Sequence, residues 1–89
     1  MDIIANILRA ANSGAKKTHI MYRCNLSFKQ LHVYLDLLGE RKLIRCIRSR
    51  VNERNDSYTY ETTSKGRAFL KAYSSIRALL STSEFETEE

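Results

Sequence analysis

The residues able to do chemistry in this chain are few, and their spacing decides what that chemistry is. Two histidines, His19 and His32, and two cysteines, Cys24 and Cys46, are the candidate metal ligands and nucleophiles. They form no H-x-x-x-H or C-x-x-C pair, so neither set has the spacing of a metal site. Cys24 and His32 stand eight positions apart, a spacing that leaves a nucleophile–base pair open. Nothing beside Cys24 marks it as activated, however. Gly14, Gly39 and Gly66 are isolated, so no glycine-rich phosphate loop exists. No catalytic residue, metal or cofactor is expected. Both cysteines are expected to be buried free thiols, since free Cys packs as a small hydrophobe.

A second group carries a different chemistry. Leu31, Tyr34, Leu35 and Leu38 form one apolar stripe. Steps of about 100° per residue place Lys29, Val33, Asp36 and Glu40 opposite it, flanked by Gln30 and His32. Ser27, Lys29, Gln30, His32 and Val33 therefore cluster on the N-terminal half of one exposed helix face. A glutamine can pair with an adenine edge, a lysine with guanine, and an apolar methyl with that of thymine. Asp36 and Glu40 keep the other half of the helix away from phosphates. Between Lys16 and Arg54 there are ten basic and three acidic residues. Lys16, Lys17 and Arg23 lie ahead of this helix, and Arg48, Arg50 and Arg54 follow it; all are candidate phosphate or minor-groove contacts. The competing readings are a solvated helix face and basic hairpin arms that discourage edge-to-edge pairing.

These side chains need elements to hold them. Ile3, Ile4, Ile7, Leu8 and Ala11 recur at helical spacing over residues 2–12, with Gly14 at the expected left-handed end. A short helix follows from Lys17 to Cys24, capped by Thr18 or Ser13. Ser27 and Gln30 make a capping box for a third helix reaching about Glu40. Two helices joined by three or four residues have helix-turn-helix spacing. Leu43–Val51 is β-rich, Asn52–Asp56 is a polar turn cluster, and residues 57–62 return as a strand, giving a hairpin. Tyr58 and Tyr60 share one face and are expected in the core. Thr63 is placed to cap a last helix running to about Leu80 or Thr82. In that helix Phe69, Tyr73, Ile76 and Leu80 alternate spacings of four and three, as a coiled-coil seam does. Ile76, Leu79 and Leu80 lie beyond what a small domain easily buries. An exposed stripe of this kind suggests the same helix of a second copy, so Phe69, Tyr73, Ile76, Leu79 and Leu80 are the expected dimer interface.

Composition bounds the rest. At 89 residues, with 43% hydrophobic and 28% charged, the chain makes one small domain and is neither collagenous nor wholly disordered. Its net charge of +5 and pI near 9.5 favour a polyanionic partner. That charge is uneven, since Glu84, Glu86, Glu88 and Glu89 all fall in the last six residues. No run approaches the ~20 apolar residues of a membrane span, and the first residues lack a signal peptide's features. A soluble, cytoplasmic protein without a membrane partner is expected.

The stretch Lys16-Lys17-Thr18-His19-Ile20-Met21-Tyr22-Arg23-Cys24-Asn25-Leu26-Ser27-Phe28-Lys29-Gln30-Leu31, with Tyr34-Leu35 beyond it, resembles the archaeal winged-helix family of small basic DNA-binding proteins. Thr62-Thr63-Ser64-Lys65-Gly66-Arg67-Ala68-Phe69-Leu70 is similar to the stretch after that family's wing. The resemblance implies an α+β, mostly helical winged helix-turn-helix with a C-terminal coiled-coil-like helix. It also implies an archaeal source, double-stranded DNA binding, and dimerisation through the last helix as an antiparallel coiled coil. Members act as transcriptional regulators or chromatin-associated proteins, which places this chain at the nucleoid. The expected divisions are 1–63 for the winged domain, 64–82 for the dimerisation helix and 83–89 for an acidic flexible tail. The alternative function is a winged-helix protein-interaction module within a larger complex. Two departures bear on structure: Cys24 stands where the family has Ala, and Lys42 where it commonly has Gly. Either the third helix ends early at Gly39, or Lys42 adopts a left-handed conformation.

Overall fold

In a computed structural model, residues 2–50 and 56–80 are described and form six elements. These are α1 (Asp2–Ala10), α2 (Lys17–Cys24), α3 (Phe28–Glu40), β1 (Ile44–Arg50), β2 (Asp56–Thr62) and α4 (Ser64–Leu80). The architecture is α+β and mostly helical, with the element order read from the sequence. The stripes predicted from periodicity meet in one core: Ile7 and Leu8 of α1 with Ala11 just beyond its end, Ile20 of α2, Leu31, Leu35 and Leu38 of α3, and Ile44 of β1. Phe69 and Leu70 of α4 close over it, partly buried.

Helix ends explain how the elements turn. Ser27 Oγ accepts from the Gln30 amide at 3.1 Å, and Gln30 Oε1 accepts from the Ser27 amide at 3.0 Å. The capping box is therefore formed, and it starts α3 sharply. Asn25, with φ of 55°, ends α2; asparagine tolerates this left-handed region better than most residues. Lys42 resolves the alternatives left by the missing glycine. Its φ is 61°, and the Leu43 amide donates to the Leu38 carbonyl at 2.9 Å, which is a Schellman closure. α3 thus runs its full length, and a lysine holds the left-handed position at a cost of about 1–2 kcal/mol. Because the Leu43 amide is spent on this closure, the regular ladder begins at Ile44 rather than Leu43.

β1 and β2 pair antiparallel, with Ile44 opposite Thr62, Cys46 opposite Tyr60 and Arg50 opposite Asp56. A third partner was not read from the sequence. Ala15, between α1 and α2, exchanges both backbone bonds with Tyr60, at 2.9 and 2.8 Å. The free edge of β2 is thereby covered at Tyr60, and the hairpin is tied to the helices. Thr62 is fully buried, and its hydroxyl donates to the Leu8 carbonyl at 2.6 Å, satisfying an end of α1 that has no helical partner.

Four expectations give way. α2 is capped by the backbone of Lys16 without a side-chain bond, so neither Thr18 nor Ser13 serves. Ile3, on the predicted inward face of α1, is 38% exposed because the first turn projects past the core. Cys46 is exposed and Cys24 only half-buried, and Tyr58 is 50% exposed. The common cause at Cys46 and Tyr58 is geometric: the hairpin extends beyond the helices, so its outer part has no second layer.

Candidate nucleic-acid interface

The turn of residues 25–27 places α2 and α3 as a helix-turn-helix pair, and the hairpin stands beside them. Lys29, Gln30, His32 and Val33 are all exposed, with Val33 63% open. The capping box gives Ser27 and Gln30 prior duties. One lone pair of the Gln30 oxygen is committed to the Ser27 amide, which leaves its second lone pair and its NH2 group for other partners. Pairing with N6 and N7 of an adenine must therefore be made with the amide orientation that the box sets. His32 stands edge-on to Phe28, with centroids 6.2 Å apart, and its Nδ1 lies 3.6 Å from an Asp36 oxygen. Lys29 and Val33 are the two members of the set with no such engagement among the described residues.

The basic candidates separate as well. Lys16 is exposed at the start of α2, and Arg23 is exposed in its last turn. Lys17 is different: its ammonium lies 5.1 Å from the Phe28 ring centroid and 5.9 Å from that of Tyr60. It bridges α2, α3 and β2, where a cation over two rings contributes about 0.5–1 kcal/mol each at exposed sites. Arg48 sits opposite Tyr58 and is exposed, while Arg50 holds the last paired position of β1. Arg54 lies outside the described residues. Strand alternation puts Arg48 on the hairpin face shared by Cys46 and Tyr60, and Arg45 on the other, where it is ion-paired with Glu61. The Lys17–Tyr60 contact therefore joins the Arg48 face to the start of α3.

Two other side chains are shifted from their ordinary pKa values. The Cys24 thiol is pushed up by burial, with Arg23 pulling weakly the other way. Burial and the neighbouring Cys46 sulfur likewise raise the Tyr60 hydroxyl. Among the described residues no three His, Cys, Asp or Glu side chains are grouped to hold a metal, and no helix is long and apolar enough to cross a membrane.

The winged helix-turn-helix family model matches residues 1–81. The chain belongs to the winged helix-turn-helix family. No curated protein matches it in sequence. Solved structures do share the fold. A PadR family transcription regulator from Clostridium difficile superposes with a TM-score of 0.80 at 15% identity, covering 90% of this chain and 91% of that one. MepR of Staphylococcus aureus, solved as a DNA complex, gives 0.73 at 17% identity over 99% and 73%. Bacillus subtilis PadR, solved with operator DNA, gives 0.71 at 13% identity over 82% and 46%.

In this winged helix-turn-helix protein, α3 is the second helix of the helix-turn-helix and β1–β2 is the wing. Phe28, 54% exposed, and Tyr22, 79% exposed, also border that surface and were not singled out by sequence. Phe28 continues the Leu31–Leu35–Leu38 stripe, so periodicity assigns it to the core. Its place in the first turn carries it past the core's edge, under Lys17. On α4, Phe69 stacks on Tyr73 at 6.4 Å, and Arg9 of α1 lies 6.0 Å from the Tyr73 ring. Both aromatics are thus engaged within the chain. Ile76, Leu79 and Leu80 remain 57%, 65% and 56% exposed.

Proposed function

We propose that the chain binds double-stranded DNA as a homodimer and acts as a transcriptional regulator or chromatin-associated protein in the cytoplasm. The observation that carries this reading is the exposed N-terminal half of α3, held rigid by its capping box and flanked by basic residues on both sides. Lys29 and Val33 are free to meet base edges in a major groove, with His32 and the Gln30 amide beside them. Lys16, Arg23, Arg48, Arg50 and Arg54 hold phosphates. Lys17 contributes charge while keeping α2 and the wing in register with α3. That two regulators of this fold have been solved with DNA supports the reading.

The dimer rests on Ile76, Leu79 and Leu80, whose exposure is unusual for apolar side chains on one helix. Phe69 and Tyr73 seat α4 on α1, and so aim that stripe away from the core. If six of the ten phosphate-holding side chains per dimer meet phosphates at once, the logarithm of duplex affinity falls against the logarithm of salt with a slope of about −5. Fluorescence anisotropy on a random-sequence duplex across a salt series measures it. A slope near zero, or no binding at low salt, sinks the proposal. Lys29→Ala and Gln30→Ala then separate roles: equal weakening on all sequences means α3 does not read bases.

A further inference from the structure

Away from the α3 surface, four cations from three elements surround one open cavity of about 380 Å³. Lys42 comes from the α3–β1 turn, Arg45 from β1, and Lys65 and Arg67 from α4. Two of the four are already occupied. Arg45 pairs with Glu61, and Arg67 donates to the Thr62 carbonyl at 2.9 Å and to the Ser64 hydroxyl at 3.2 Å. Among the described residues no carboxylate pairs with Lys42 or Lys65. Two uncompensated ammonium groups therefore line the cavity with the Ser64 hydroxyl between the strands and the helix.

This place is separate from the surface assigned to DNA. Strand alternation puts Arg45 on the hairpin face opposite Arg48. Five residues of extended chain separate Arg45 from Arg50, about 17 Å. Eleven helical residues separate Gln30 from Arg41, beside Lys42, about 16 Å. A surface that grips a duplex through α3 and the outer wing leaves this cavity at the far end of both.

We infer that the cavity binds a small phosphomonoester, with Lys42 and Lys65 as its counter-ions. A monoester carries about −1.5 to −2 at neutral pH, together with three strong acceptor oxygens. That matches two free ammonium groups, whereas a nucleic-acid phosphodiester carries a single charge. The inference stands apart from the proposal of DNA binding, and the two fail separately.

The test titrates the full chain with ribose 5-phosphate, following backbone amide shifts by NMR, with ribose and dimethyl phosphate as controls. Saturable shifts centred on Lys42 and Ser64–Gly66, at least about tenfold weaker for dimethyl phosphate, are expected from the charge difference. Lys42→Asn keeps a residue suited to the left-handed turn, and Lys65→Gln lies on an exposed helix face. Each should weaken ribose 5-phosphate about tenfold or more while leaving the thermal midpoint near that of the parent. Duplex affinity should stay within about twofold in both variants, since neither side chain belongs to the DNA surface. Non-saturating shifts, shifts centred on Lys16 and Lys29, or equal binding of the diester overturn the inference. A loss of duplex affinity in both variants overturns it too, because the cluster is then part of the DNA footprint.

Discussion

Replacing Gly66 with alanine probes the closest approach in the fold, where α4 crosses the α3–β1 junction. A Cβ built there would overlap the Leu43 carbonyl oxygen, lie 2.5 Å from Thr62 Cγ2 and 3.2 Å from the Leu43 carbonyl carbon. Helix propensity alone favours alanine by about 1 kcal/mol. The obstacle, however, is main chain, and it is fixed: the Leu43 carbonyl accepts from the Thr63 amide at 3.0 Å. α4 must therefore move outward. Overpacking of this kind costs about 1–3 kcal/mol. The shift also strains the two bonds of Thr63 Oγ1, to the Lys42 carbonyl at 2.7 Å and from the Gly66 amide at 3.1 Å, each worth about 1 kcal/mol. After the propensity gain, Gly66→Ala is expected to lose about 2–3 kcal/mol, or about 10 °C or more of thermal midpoint in a domain this size. Gly39→Ala is the matched control. Nothing lies within 4 Å of its Cβ position, so it gains about 0.5–1 kcal/mol. Thermal unfolding followed by far-ultraviolet circular dichroism compares the two. If Gly66→Ala is as stable as the parent, α4 does not sit against the Leu43 backbone and the packing argument is wrong.

Three further outcomes follow from particular contacts. Thr62→Val keeps the shape but leaves the Leu8 carbonyl without its buried donor, and is expected to cost about 1–3 kcal/mol by denaturant unfolding; no loss would mean that water replaces the hydroxyl. Leu79→Glu puts a charge on the exposed apolar stripe through which we propose dimerisation, so sedimentation should find the variant less associated than the parent, with the fold intact. A thiol reagent at mildly alkaline pH should label Cys46 before Cys24. Cys46 is exposed, whereas burial raises the Cys24 pKa and lowers its thiolate fraction; the reverse order would show that Cys46 is covered.

Most of the architecture was legible because it rests on local rules. Helical spacing found the inward faces of α1 and α3, and the Ser27–Gln30 pair announced where α3 begins. The failures share a cause. Periodicity says which side of an element is apolar but not how far along it the core extends. Ile3, Cys46 and Tyr58 all lie where an element runs past its neighbours. The Ala15–Tyr60 bridge joins residues 45 positions apart, and no local pattern encodes it. Local pattern assigned Gly66 no structural role beyond its place in a resemblance; its physical reason, the Leu43 carbonyl, needs the tertiary fold. At the candidate site the residue types were readable, but their prior engagements were not. Gln30 was given base reading and capping together, although the capping bond fixes how its amide can point.

Lys17 shows what this means for function. By type and position it is a phosphate contact, yet its ammonium lies over Phe28 and Tyr60, and Tyr60 is the residue that pairs with Ala15. One side chain and one pair of backbone bonds thus meet at the joint between helix-turn-helix and wing. A protein that grips a groove with α3 and phosphates with a wing needs the distance between them held constant, because each dipole or charge misplaced by an ångström weakens its contact steeply. The cation over two rings helps to hold that distance while keeping its charge near the surface where phosphates would approach. Removing it would therefore act twice, through lost charge and through a loosened wing. The two parts are separable, since lost charge fades at high salt and a loosened wing does not.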